Sequence, residues 1–441
     1  MSDVKGILSN IGVLTDKGNS VITFAFNSTG TLLATCHIDW TVKLWDTSSH
    51  ECVATLDCHN DYVHDPANED DWEYNEFDPR DRMERERGMV TTVAFHPTDP
   101  LIMATGSDDR TARLWQLTSE FWMDDGNDDD LDNLDWDNLE SGYTYSATRL
   151  ATLVGHSHEI SSVAFNPTGT LLATCGNEGT VKLWDTSSHE CAATLEMHGN
   201  RNVVAFDPMG TLLATGGNYD AVSVWDTRSH ALVATWETGS MNVTSIAFDP
   251  MGTLLASGSS DGTVKLWDTI SHARVATLDG HSGSVHSAAF HPTAPVLAIG
   301  SENTMKLWDT RSHKCAATLV RGSHVVAFDP IGTILATSNG GPSVHLWDCS
   351  ILSSKKQREM ALMREMQSTL ARRMTAQMPR RAADAIVGRA KGLSLFPQEK
   401  AAKMAAKTAK AAKASSIGGS VTHRHRKRRK HAKTKRHRKL R

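Results

Sequence analysis

Cysteine is scarce in this chain, and the seven it has are not arranged for chemistry. An odd number without a C-x-x-C pair excludes a disulfide framework and a structural zinc site. Long apolar runs are missing too: none reaches the roughly 18 residues that a membrane span needs. The opening stretch MSDVKGILSNIGVLTDKGNS has neither the basic nor the apolar region of a secretory signal, so a soluble intracellular chain with no membrane partner is expected. The motifs G-x-x-x-x-G-K-[ST], G-x-G-x-x-G before a helix, G-x-S-x-G and H-E-x-x-H are all lacking. Catalytic residues, cofactors and a small-molecule substrate are therefore not expected, and the chain reads as a non-enzyme. The acidic run from Asp128 is no calcium loop, since Asn133 stands where the turn needs Gly and Leu139 where a bidentate Glu is needed. No metal site is expected.

What the chain has is repetition. The string TVKLWDTSSHEC occurs at Thr41 to Cys52 and again, letter for letter, at Thr180 to Cys191. An active site assembles once in a domain, so identical copies point to a structural unit. Alignment on the Trp-Asp pair gives Trp45-Asp46, Trp184-Asp185, Trp225-Asp226, Trp267-Asp268, Trp308-Asp309 and Trp347-Asp348, with Trp115-Gln116 as a degenerate seventh copy. The spacings between successive tryptophans are 70, 69, 41, 42, 41 and 39. A period near 40 with strand-like alternation is the pattern of a four-stranded propeller blade, and the two long spacings mark insertions. Inside one copy, VTSIAF, TLLASGS, TVKLWD and ARVATL read as four strands, the first pair joined by Asp249-Pro250-Met251-Gly252 as a type I turn. No segment from 20 to 350 has a helical period. His50, His189, His230, His272 and His313 follow W-D-T-x-S in five copies and read as turn residues, and Cys52, Cys191 and Cys315 share one repeat position and read as small packing residues.

These copies resemble the WD-repeat family over roughly residues 1–350. The resemblance implies an all-β fold, a seven-bladed β-propeller whose faces and central channel bind other proteins. It also implies a framework in which a Gly-His pair before each blade and an Asp six residues before the Trp join a Ser or Thr and the indole in a hydrogen-bonded tetrad. His156 and His281 match the first feature, and Asp39, Asp109 and Asp261 match the second. Glu178 and Glu302 stand where Asp is expected, and Tyr219 and Gly341 cannot fill that place. With no copy holding both groups, the expectation is a weak tetrad network and blades held by strand packing. The seventh copy lacks a fourth strand, and Ile11 to Leu14, ahead of Thr15-Asp16-Lys17-Gly18, is expected to complete it and remove an open edge. Arg228 and Arg311 stand in W-D-T-R strings that resemble the box by which some propellers dock on the adaptor of a cullin-RING ubiquitin ligase.

Charge divides the chain. Residues 351–441 hold 27 Lys+Arg against 4 Asp+Glu, a net of plus 23, and residues 1–350 a net of minus 28. The insertion at 60–88 has eleven acids and four Arg; that at 121–145 has nine acids, no base, and Phe121, Trp122, Leu131, Leu134, Trp136 and Leu139 among them. A loop both acidic and aromatic suits a basic protein partner. Residues 351–392 are expected to include a basic amphipathic helix, with Met360, Met363, Met366 and Leu370 at near-helical spacing, stopped by Pro379 and docked on the propeller. Residues 393–441 are expected to be a disordered Lys/Arg/Ala-rich tail. Its end carries Arg424, Arg426, Lys427, Arg428, Arg429, Lys430, Lys433, Lys435, Arg436, Arg438, Lys439 and Arg441. That density suits nuclear or nucleolar import and phosphate-driven contact with RNA or chromatin. The expected role is a non-enzymatic scaffold in the nucleus or nucleolus; the alternatives are a ubiquitin-ligase substrate receptor and a cytoplasmic signalling or trafficking adaptor.

Overall fold

The computed structural model describes residues 8–352 apart from 17–18, 61–87, 124–140, 198, 201–202, 219, 240–241, 303 and 320–322. The chain divides into two compact units, Met1–Arg372 and Arg373–Arg441, and all described residues belong to the first. The expected helix and the basic tail lie outside the described residues, except for a short 3-10 turn at Ser350–Leu352.

Seven four-stranded antiparallel sheets form a seven-bladed propeller. In blades 1 to 6 the strands a, b, c and d follow one another in the chain. Blade 7 takes its a, b and c strands from Val325–Phe328, Ile334–Ser338 and Ser343–Asp348, and its d strand from the N-terminus, Ser9–Thr15, which pairs with Ser343–Asp348. The two ends of the ring are thereby joined by main-chain hydrogen bonds.

The sequence period explains which strands are buried. Strand b lies in the middle of each sheet and faces a neighbouring blade on both sides, so it is buried almost throughout and its few polar residues are hydroxyls and a histidine; Leu33, Met103, Leu172, Leu213, Leu255, Leu297 and Leu335, one per blade, are fully buried. Strand c alternates, as TVKLWD does, and the outer strand d keeps only one large residue inside, such as Leu56, Leu153, Leu195 or Trp236. Seven apolar clusters result, one at each blade interface, and burying one such leucine contributes about 1.5–3 kcal/mol.

Because the strands alternate in direction, the a–b and c–d turns emerge on one face, here the ab face, and the b–c turns and d–a connections on the other, the bc face. The a–b turns pack on one another at five of the seven blade junctions. In blade 4, Gly210 donates its N–H to the Asp207 carbonyl (2.9 Å) at φ 70°, while the Asp207 carboxylate accepts from Leu212 N–H (2.6 Å). A Cβ on Gly210 would sit 3.1 Å from Pro167 of blade 3, so the next turn packs against glycine where any side chain would crowd. His96 and His291 open the turns of blades 2 and 6. Their Nδ1 accepts backbone N–H groups and their Nε2 donates to Gly169 and Gly332 of the following blade (3.1 and 2.9 Å).

The c–d turns repeat as closely. Asp46 accepts the N–H of Ser48 and Ser49 (2.9 and 2.8 Å), and the chain turns back through His50 in the left-handed region. His50, His189, His230, His272 and His313 have φ of 64°, 62°, 60°, 59° and 56°. They are turn residues, and two also pack between blades: the His50 ring lies over Gly12, and His272 meets Trp236 edge-on at 5.8 Å. Cys52, Cys191 and Cys315 do not pack inside. All three are exposed at the start of a d strand, where the outer position leaves the thiol facing solvent and bonded to the carbonyl two residues on. The buried cysteines are Cys36, Cys58, Cys175 and Cys349.

Candidate interaction surface

The tetrads are stronger than the sequence suggested. In blade 2 the indole of Trp115 donates to Thr105 Oγ1 (2.9 Å), Thr105 Oγ1 meets His59 Nε2 (2.9 Å), and His59 Nδ1 meets Asp109 (2.7 Å). An indole N–H can only donate, so the threonine oxygen accepts it and gives its own proton to Nε2; Nδ1 then carries the ring proton toward the carboxylate. His59 was hidden because the 60–88 insertion separates it from its blade. Gly88 N–H bonds to the His59 carbonyl (2.8 Å) and closes the insertion at its base. The reading T-L-D-C-H beside T-L-V-G-H is the signal that finds it. Arg113 is fully buried beneath, donating to the Cys58 carbonyl (2.9 Å) and to Asp109 (3.3 Å). Burial alone would raise the Asp109 carboxyl, but the bonds from His59 and Thr111 outweigh it and hold it below its ordinary value.

Blade 3 is complete with a glutamate: Trp184, Thr174, His156 and Glu178 bond in the same order. Burial raises the Glu178 carboxyl, and His156 and Thr180 more than offset this and bring it down to about 2. Blade 1 exchanges the places of the two groups. Trp45 and Thr35 are bonded (2.9 Å), Thr35 meets His37 on the same strand (2.7 Å), and the carboxylate is Asp16 in the d–a connection, 3.4 Å from His37 and 2.9 Å from Lys43. Asp39 turns to Asn19 and Thr41 instead.

Among the described residues, blades 4, 5 and 7 show the indole-to-hydroxyl bond, from Trp225, Trp267 and Trp347 to Thr215, Ser257 and Thr337; His198, which aligns with His59, lies outside the described residues. Asp261 bonds Thr263 in its own turn. Blade 6 has no tetrad. Its b–c turn is one residue shorter, so Ile299 takes the hydroxyl position opposite Lys306, the Trp308 indole N–H has no partner, and Glu302 lies toward His286 (3.9 Å). His281 bonds Ser301 and Thr304; burial and the nearby Lys306 bring it down to about 4. In blade 7, where the histidine is replaced, a small cavity of about 30 Å³ lies between Met305, Ser323, Thr337, Asn339, His345 and Trp347. Tyr219 lies outside the described residues.

With these groups committed to the framework, the surface is what remains for partners. The two insertions leave opposite faces. Residues 60 and 88 meet in a d–a connection on the bc face. The 121–145 stretch belongs to the c–d hairpin of blade 2, whose strands, Ala112–Met123 and Ser141–Leu153, are about twice the usual length and rise as a paired ribbon beyond the ab face. Its flanks are therefore strand, and Tyr145 and Ala147 pack against the apolar cluster between blades 1 and 2. Arg228 and Arg311 are exposed in c–d turns, both on the ab face. The residues from Arg424 to Arg441 lie outside the described residues, as do the interiors of both insertions.

The WD domain, G-beta repeat family model matches residues 9–46, 82–116 and 147–185, which include Trp45, Trp115 and Trp184 with their strands. The chain is a WD-repeat β-propeller. The family model of the nucleolar protein 10-like N-terminal domain matches residues 195–343, blades 4 to 6 and the first two strands of blade 7. Among curated proteins, this WD-repeat chain is 35% identical over 112 residues to the probable cytosolic iron-sulfur protein assembly protein Ciao1 of Culex quinquefasciatus, covering 25% of this chain and 26% of that protein. It is 27% identical over 145 residues to the nuclear distribution protein PAC1 of Coccidioides posadasii, covering 27% and 31%, and 25% identical over 177 residues to protein HIR1 of Candida albicans, covering 39% and 18%. The aligned part is thus less than a third of each of these relatives. WD-repeat propellers generally bind other proteins and serve as non-enzymatic scaffolds, which is the coarse role the fold carries here.

Proposed function

We propose that this chain is a nucleolar or nuclear scaffold, its propeller holding protein partners and its basic C-terminal residues tethering the assembly to RNA or chromatin. The observation that supports it is the joining, in one chain, of blades that match a nucleolar protein 10-like propeller and a terminal segment of net charge plus 23. Twelve Lys and Arg in residues 423–441 recognise phosphate without base readout, so the contact is salt-sensitive and indifferent to sequence. Imaging a tagged full chain tests the reading: nucleolar signal that is lost when 423–441 are removed supports it, and cytoplasmic retention of the full chain overturns it.

A second reading rests on Arg228 and Arg311 being exposed on one face, each held outward by an Asp-capped turn, Arg228 N–H to Asp226 (3.1 Å) and Arg311 N–H to Asp309 (3.0 Å). A ubiquitin-ligase adaptor docking there is captured by wild type and lost in the Arg228→Ala, Arg311→Ala double variant; equal capture, or none, excludes it.

A further inference from the structure

On the ab face of blades 4 and 5, three side chains are far more exposed than other large apolar residues of the described chain: Met209 (76%), Met251 (77%) and Ile270 (81%). They form one patch. The a–b turn holding Met251 abuts the turn holding Met209, since a Cβ on Gly252 would lie 3.3 Å from Pro208, and Thr269, next to Ile270, donates to the Gly252 carbonyl (2.6 Å). The fold does not require apolar residues there. Thr29 and Thr168 fill the position of the two methionines, and Ser48 and Ser187 that of Ile270, with the same turn hydrogen bonds. Three large apolar groups left in water on one spot point to something that covers them.

We infer that residues 353–372 of this same chain lie across this patch as an amphipathic segment, Met360, Met363, Met366 and Leu370 facing Met209, Met251 and Ile270. The chain leaves the propeller on that face and beside the ring of a–b turns: Cys349 N–H bonds to the Thr333 carbonyl (2.8 Å), and Leu352 packs into the apolar cluster shared by blades 6 and 7. The patch begins on blade 5, next to blade 6. Length fits, because sheets packed about 10 Å apart make a seven-membered ring about 23 Å across, and twenty helical residues span about 30 Å. Charge fits as well. Residues 353–372 hold five Lys and Arg against two Glu, and the turns around the patch carry the part-exposed Asp226, Asp249 and Asp268 against the single exposed Arg228. This contact is independent of where in the cell the protein acts.

The test uses the full chain with a benzoylphenylalanine cross-linker at position 270, in an equal mixture of light and ¹⁵N-labelled protein. Cross-links into 353–372 that keep a single isotope label are the expected result. Mixed-label cross-links, which mark a second copy as the occupant, cross-links elsewhere, or none at all overturn the inference. A second measurement is trypsin cleavage at Lys355, Lys356, Arg358 and Arg364 in full-length Met251→Glu, Ile270→Glu protein. Both sites are exposed, so the melting temperature should hold while cleavage rises about tenfold; an unchanged cleavage rate overturns it.

Discussion

Thr105 holds two buried groups at once, the Trp115 indole and the His59 imidazole, whereas Ser257 holds only the Trp267 indole. Leaving a buried polar group unsatisfied costs about 1–3 kcal/mol, so Thr105→Val should cost about 2–5 kcal/mol and Ser257→Ala about 1–2 kcal/mol. Ile299→Thr should do the reverse, giving the unpartnered Trp308 N–H an acceptor and stabilising by about 1 kcal/mol. Urea unfolding of the three variants checks this, and equal losses for Thr105 and Ser257 would remove the histidine from the account. Acid stability divides into two windows. His281 is held neutral in the fold, its pKa drawn from 6.5 to about 4 first by burial and then by Lys306, and burial also lowers His37, His286 and His291. Between those values the unfolded chain binds the proton and the fold does not, so stability is complete above about 6.5 and declines as pH falls toward 4. Glu178 has its pKa lowered from 4.5 to about 2, so what it contributes is present above 4.5 and declines only below it. His281→Gln should flatten the melting temperature between pH 6.5 and 4, and Glu178→Gln only below 4.5; a His281→Gln profile that overlays wild type would contradict the assignment. The tryptophans and their repeat partners could be read from spacing alone. His59 could not, because 29 inserted residues break the period, and neither could the exchange of Asp16 and His37, since the attraction between an imidazole and a carboxylate is indifferent to which segment supplies which group.

The blade is the element that repeats, and its turn chemistry made it legible: Asn/Asp-x-x-Gly for most a–b turns and W-D-T-x-S-His for c–d recur because these turns need a side-chain acceptor as cap and one residue at positive φ. Depth was harder to read than position. Cysteine is apolar enough to suggest burial, yet at Cys52, Cys191 and Cys315 the strand is the outermost of four and one of its sides is solvent. The length of the blade 2 hairpin was also concealed, since acidic and aromatic residues carry no strand period, and the pairing of Phe121 with Tyr143 and Met123 with Ser141 is visible only in three dimensions. Two outcomes follow at this scale. The N-terminal strand buries Leu14 at 1% exposure in the cluster between blades 7 and 1, so Leu14→Ala should cost about 2–5 kcal/mol, and deleting 1–18 should cost more, since the ladder to Ser343–Asp348 and the Asp16 contacts with His37 and Lys43 go with it. An unchanged melting temperature on deletion would show that this strand does not hold the ring closed. Replacing 124–140 by a two-residue turn should leave the melting temperature within about 2 °C, because Tyr145 and Ala147, which pack on the cluster between blades 1 and 2, remain, while a cut that also removes Tyr145 should lower it.

Across the whole molecule, charge and topology combine. Residues 1–350 have a net charge of minus 28 and residues 351–441 of plus 23, and opposite charges on one chain are expected to attract at the high effective concentration that a tether imposes. The two acidic insertions are not equivalent in this. The chain passes Leu352 on the ab face, from which the ribbon leading to residues 124–140 also rises, whereas residues 61–87 leave from the bc face. We propose that the insertion of blade 2 competes with polyanions for the twelve Lys and Arg of residues 423–441, and that the 60–88 insertion does so less. A peptide of 423–441 should then bind RNA more tightly than the full chain at low salt, and removing 124–140 should recover more of the difference than removing 61–87. If about half of the twelve charges meet phosphates, log affinity should fall against log salt with a slope of roughly minus 4 to minus 5. Raising salt weakens the contact within the chain as well as the contact with RNA, so the peptide and the full chain should converge near physiological ionic strength, where the screening length is about 8 Å. A fluorescence titration from 20 to about 200 mM salt reads all of this. Identical binding by peptide and full chain at every salt excludes the competition, an equal effect of the two deletions removes the role of the faces, and no binding by either leaves residues 423–441 as an import signal alone.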